Sequence, residues 1–248
     1  MAELYKANRQ CCDVDLRYLA TKKPFMFFDV ANTTTASVEG NSVYAMGKGA
    51  RKVAFQDPVS GTMTIEAQCR TFKFFALFSD GTIGTSATIF VKKDIQATEA
   101  GKITLVPGTG NTVVAGSVFV YPVDDYGVEG SEIAGSFAEN VFTATEASAI
   151  AVGTKYAVAY LLVKEGVKKV SINNKKLPPD LFIQMSTLDK DEDGVYTPFK
   201  MTAYKASVQR NFELTFSSEG DPMSITMTFD LLEDKDGNFL DLIEDTEE

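Results

Sequence analysis

The run Asp189-Lys190-Asp191-Glu192-Asp193-Gly194 places carboxylates at the first, third and fifth positions and glycine at the sixth, as in the opening half of a calcium-binding loop. The twelfth position, where such a loop needs a bidentate glutamate, is Lys200, and no paired helical patterns flank the run. A solvated Asp-Gly hairpin turn is therefore expected, with a weak cation site as the alternative. Glu233-Asp234-Lys235-Asp236-Gly237-Asn238 repeats the theme with the same reading. Asp124 and Asp125 could supply an acid and a base for glycoside hydrolysis, yet neighbours on a strand point to opposite faces. The basic cluster Lys48, Arg51 and Lys52 is expected to be a solvated or inter-subunit surface in preference to a phosphate site.

Histidine is absent, which removes the side chain whose charge changes nearest neutrality and the usual base of nucleophilic triads. That excludes His-dependent metalloproteases, most serine hydrolases and Cys-His enzymes. The three cysteines, Cys11, Cys12 and Cys69, offer neither a disulfide framework nor zinc-ligand spacing and read as reduced, incidental thiols. Gly47-Lys48-Gly49 lacks the spacing of a phosphate-binding loop. No catalytic residue, metal site or cofactor is expected.

The chain has 248 residues, 44% of them hydrophobic, enough to bury a core as one large β domain or two smaller ones. No apolar run reaches the ~18 residues of a membrane span, and the first residues lack a secretory apolar segment, so no membrane association and synthesis in a cytoplasm are expected. Net charge is −10 and unevenly spread. Residues 1–94 carry twelve basic and nine acidic side chains, whereas residues 169–248 carry eight and seventeen. Such a distribution disfavours tight binding to duplex DNA and permits a basic face on one molecule to meet an acidic face on the next.

Period-two alternation marks strands over Phe212–Ser217 and Ile225–Asp230, with Glu219-Gly220-Asp221-Pro222 as the turn between them. Further strands are expected around Ser42–Met46, Lys52–Phe55, Thr62–Gln68, Lys168–Ile172 and Leu181–Leu188, while Asn32-Thr33-Thr34-Thr35 reads as a polar link. Phe72, Phe75, Ala76 and Phe78 approach helical spacing, which predicts one short helix over Cys69–Ser79. Between Gln96 and Glu165 the texture shifts to short Val/Ile/Tyr strands and frequent glycine, and Tyr156–Val163 reads as a central strand buried on both faces. The expectation is a mainly β fold with an inserted small β region at 96–165 and a core from 1–95 and 166–248. The aromatic run Phe25-Met26-Phe27-Phe28 packs either into its own core or onto a neighbour.

Asp191-Glu192-Asp193-Gly194, Pro198-Phe199, Ala206, Asn211-Phe212, Glu219-Gly220-Asp221-Pro222 and Met227-Thr228-Phe229-Asp230, in that order, resemble the closing strands of tail tube proteins of long-tailed bacteriophages. Lys52-Val53-Ala54-Phe55 and Thr64-Ile65-Glu66-Ala67-Gln68 extend the likeness upstream. The resemblance implies an antiparallel β-sandwich or half-barrel with one flanking α-helix and an N-terminal arm. It also implies hexameric rings stacked into the virion's tail tube, which passes DNA and tape measure protein and contacts a sheath, baseplate or tail terminator. Under it, Glu213 and Asp230 are candidates for the acidic lumen face, and Phe25, Phe27, Phe28, Lys48, Arg51 and Lys52 for subunit contacts. The inner tube of a contractile injection system and an Ig-like decoration or adhesion protein are the alternatives.

Overall fold

The computed structural model describes residues 4–220 and 222–245, and the chain divides into two compact units. The first unit opens with β1 (Lys6–Ala7), β2 (Asp13–Tyr18), β3 (Pro24–Phe28), β4 (Thr33–Glu39), β5 (Ser42–Gly47), β6 (Ala50–Gln56) and β7 (Ser60–Ala67). The second unit, Ile83–Val170, holds β8 (Gly84–Gln96), β9 (Lys102–Thr104), β10 (Thr112–Val113), β11 (Phe119–Pro122), β12 (Gly135–Ala138), β13 (Val141–Ala144) and β14 (Lys155–Lys169). The chain then returns to the first unit with β15 (Leu181–Asp191), β16 (Tyr196–Val208), β17 (Ile225–Leu232) and β18 (Leu240–Glu244). The fold is mainly β, and every strand pairing is antiparallel.

The first unit is built on a nine-stranded sheet in the order β3-β2-β15-β16-β17-β7-β4, with β1 added beside β15 and β18 beside β16. Strict alternation makes its inner face. Val14 and Leu16 on β2, Ile183 and Met185 on β15, Met227 and Phe229 on β17, and Met63 and Ile65 on β7 are all fully buried. Each such side chain stabilises the fold by roughly 1.5–3 kcal/mol relative to exposure.

A 3-10 helix, Phe72–Phe78, supplies further apolar packing. It stands where a short helix is expected, but with a tighter repeat than the α period. Phe74 and Leu77, three residues apart, are both buried, and the Phe74 ring lies 6.2 Å from Phe28. Gly81 ends this segment with φ +78°, donating its N–H to the Ala76 carbonyl at 3.0 Å.

Three local readings are corrected. Residues 209–216 form no strand: the Arg210 guanidinium donates to the Asn173 carbonyl (2.9 Å), and Phe212 turns onto Phe78 with ring centroids 4.6 Å apart. The hairpin therefore joins β16 to β17 through a long irregular segment, and Asp221 of the expected turn lies outside the described residues. Thr33–Glu39, in place of a polar link, is the edge strand β4, paired with β7 along its whole length. Lys168 and Lys169 close β14, and no strand runs on to Ile172.

In the second unit β14 is central, flanked by β8 on one side and by β10 and β11 on the other. Tyr156 to Tyr160 are consecutively buried, as a strand covered on both faces requires. One face of β14 packs into a core with Ile103, Val120, Phe142 and Ile150, which a three-stranded sheet of β12, β13 and β9 helps to enclose. Because β8 pairs with β14 from Gly84 to Lys169, the unit extends beyond residues 96–165 at both ends.

Candidate assembly surfaces and polar sheet face

The outer face of the nine-stranded sheet follows from the same alternation that fills its core. Register aligns its side chains in rows across the strands. Ser207, Asp230, Thr62 and Ser37 form one row; Thr228, Thr64 and Thr35 form a second; Thr226, Glu66 and Thr33 form a third. On the other half, Asp15, Gln184 and Thr202 lie opposite one another, with Gln184 Nε2 donating to Thr202 Oγ1 at 3.2 Å. Arg17 clamps Asp15 through Nε and Nη2, at 2.8 and 2.6 Å. This face is rich in hydroxyls and carboxylates, interrupted by Phe27 opposite Asp15 and Phe182 opposite Arg17.

Asp230 lies on this face between buried Phe229 and Leu231, and its Oδ1 accepts a hydrogen bond from Gln209 Nε2 at 2.7 Å. Beside it a depression of about 450 Å³ is lined by Ser37, Glu39, Ser60, Gly61 and Thr62. Gly61 is required there, since a Cβ would meet the Ser37 carbonyl at 2.7 Å. Glu213 is not beside Asp230 on a partner strand. It lies exposed in the irregular segment after β16, accepting a hydrogen bond from Thr215 Oγ1 at 3.3 Å.

The acidic run Asp189–Gly194 ends β15 and enters the turn to β16, with Glu192, Asp193 and Gly194 in the turn itself. Asp191 Oδ1 accepts the Val195 amide at 2.8 Å, and Gly194 takes φ +88°. Lys200 faces away from any loop role, pairing with Asp245 at 3.1 Å. Among the described residues no group of three or more Cys, Asp or Glu side chains is arranged to hold a metal ion. Asp234 likewise closes a turn, accepting the amides of Asp236 and Asn238 at 2.9 Å; the Asn238 side chain and these amides hold its carboxyl below the usual range.

The aromatic run divides between the two faces, with an irregularity in the β2–β3 register that lets residues of opposite parity turn the same way. Phe25 and Phe28 turn inward and are buried, so of the three phenylalanines only Phe27, 61% exposed, is available to a neighbour. Lys48, Arg51 and Lys52 lie at the end of a two-stranded ribbon, β5–β6, which belongs to a separate sheet from the rest of its unit. Lys48 and Gly49 both adopt positive φ, the signature of a tight two-residue hairpin turn. Val43 and Phe55 face each other across the ribbon and are each 60% exposed. The Arg51 guanidinium stacks 4.3 Å from the Tyr44 ring centroid.

Cys12 is buried, its thiol pushed up by desolvation, whereas Cys11 and Cys69 are exposed. Sequence reasoning missed β2, although Asp13-Val14-Asp15-Leu16-Arg17 alternates cleanly, and it missed the Asp15–Arg17 pair on the polar face.

Among the described residues, the large sheet has one apolar and one hydroxyl-rich face, its edge strands β3 and β4 each pair on one side only, and the basic ribbon is almost wholly exposed. The sequence matches the YomU/Tube protein family over residues 9–242, and the chain belongs to that family. It is thus a structural tube protein, in keeping with the likeness of its closing strands to phage tail tube proteins. No curated protein matches the sequence. No helix among the described residues is long and apolar enough to cross a membrane.

Proposed function

We propose that this chain is the self-assembling subunit of a phage tail tube, forming hexameric rings that stack into the conduit for genome delivery. The observation that carries this reading, together with the family, is the nine-stranded sheet with a predominantly polar outer face and, among the described residues, two edge strands paired on one side only. An isolated edge is a liability, but a neighbour that pairs with it extends the sheet, and a repeated heterologous contact with the right rotation closes a ring.

The polar face, with Asp230, Glu66 and Asp15, lines the channel in this reading. A basic wall would bind DNA by releasing its counterions and hold it, whereas hydroxyls and carboxylates leave it hydrated and mobile. Electron microscopy of the purified protein tests the assembly: rings or tubes are expected, and a monodisperse monomer under all conditions would sink the proposal. Asp230→Lys with Glu66→Lys tests the wall, because tails that assemble with both lysines should eject DNA more slowly at low salt. Glu213, which lies in the irregular segment after β16, serves as the comparison site, and Glu213→Lys is expected to have the smaller effect.

A further inference from the structure

We propose that the β5–β6 ribbon of one copy docks on the tip of the β15–β16 hairpin of a second copy. The inference rests on the self-assembly reading and adds to it a specific pair of surfaces. The ribbon is an anomaly in an otherwise well-packed unit. Nearly all of its residues are exposed, and a two-stranded hairpin without cover is at best marginally stable in water. One face presents Val43, Phe55, Ala45 and Val53, matched in opposite pairs, while Lys48, Arg51 and Lys52 crowd its end. None of these three cations has a carboxylate partner among the described residues.

The β15–β16 tip carries the complementary chemistry. Glu192 and Asp193 are exposed at the turn and make no ion pair among the described residues. Nearby acids are already engaged: Lys6 holds Glu244, and Lys200 holds Asp245. Beside this acidic point lies exposed apolar surface, Val195 in the turn and Tyr196 at the start of β16, with the Lys190 ammonium 5.4 Å from the Tyr196 ring centroid. A basic, apolar ribbon and an acidic, apolar tip in one chain make a heterologous contact that every added copy can repeat. Three lysine and arginine side chains among exposed valine and phenylalanine fit a protein partner better than a phosphate backbone, which rewards cations and gains nothing from buried valines.

Mixing experiments test the pair. In a background with Cys11 and Cys69 replaced by serine, Lys48→Cys protein is mixed with Glu192→Cys protein under mild oxidation. The mixture should form cross-linked dimers at least ~tenfold faster than either variant alone, with the advantage shrinking at high salt. No advantage for the mixture would overturn the docking, whether or not tubes are seen. Assembly offers a second readout: the triple reversal of Lys48, Arg51 and Lys52 to Glu, and the double reversal of Glu192 and Asp193 to Lys, should each slow tube formation ~tenfold, and combining all five should restore it. Reversals without effect, or a combination no better than its parts, would exclude the pairing while leaving tube formation itself intact. A duplex DNA fragment that is retarded by the wild type but not by the triple reversal, and that blocks cross-linking, would reassign the ribbon to nucleic acid. Absence of tubes in the wild type, with cross-linking still specific to the mixture, would fault the tube reading and keep the contact.

Discussion

At the scale of single residues, close approach and paired charge set the sharpest expectations. A Cβ on Gly135 would lie 2.4 Å from both the Thr143 carbonyl and the Phe142 ring, so Gly135→Ala must push β12 off β13 or displace a buried phenylalanine. A loss of about 1–3 kcal/mol is expected, read by calorimetry as a lowered transition for the second unit. Asp80 raises a different expectation. The Lys176 ammonium, 2.7 Å away, and the Thr82 hydroxyl, at 2.5 Å, hold its carboxyl far below the ordinary carboxylate range. A depressed folded-state pKa stabilises above the unfolded value of 3.8 and loses that stabilisation progressively as pH falls below it. Wild type should therefore melt above Asp80→Asn at about pH 6, with the gap clearly smaller at about pH 2. If the gap is the same at both values, the Lys176 contact contributes nothing to stability. Such features were only half visible in the sequence: the turn at Asp193-Gly194 could be seen because Asp-Gly has a local preference, whereas nothing local tells Asp80 that Lys176 will be its partner.

At the scale of elements, legibility followed the pattern of burial. Strands with one buried face, such as β17 and β7, could be read from alternation, and β14 from its continuous apolar run. The edge strand β4 escaped because Thr33-Thr34-Thr35-Ala36-Ser37 buries too little to show a period, its place being set by pairing with β7. Phe212–Ser217 misled in the opposite direction: it alternates, but contact of Phe212 with the 3-10 helix outweighs strand pairing. The β5–β6 ribbon was found as strands, yet its lack of cover is a tertiary fact that composition does not carry. Its neck is closed by the Asp57 amide on the Asn41 carbonyl at 2.9 Å. Replacing residues 42–56 by an Asn-Gly turn should therefore leave the melting temperature of the first unit nearly unchanged. The same variant should fail to form tubes under electron microscopy, and full-length tubes from it would rule the ribbon out as a contact.

At the scale of the whole molecule, the second unit has the features of an independent folding body. Its core draws only on its own residues, with Ile103, Val120, Ile150 and Val158 almost or entirely removed from solvent. Residues 83–170 expressed alone are expected to unfold in one cooperative transition and to give a dispersed amide spectrum. A collapsed, poorly dispersed spectrum would show that the fragment needs the rest of the chain.

The interleaved order of the two units also fixes a timetable for synthesis. The first unit is discontinuous: β2 must wait for β15, β7 for β17, and β1 for the far end of β15. The second unit is contiguous and lacks no strand once Lys169 has left the ribosome. It can therefore fold first, while the adhesive edges of the first unit are still incomplete. The β15–β16 tip is finished only when β18 has emerged and Glu244 reaches Lys6. A nascent chain thus displays the ribbon well before it displays the surface that ribbon is proposed to bind, so neighbouring chains on one messenger find no completed partner until each is nearly made.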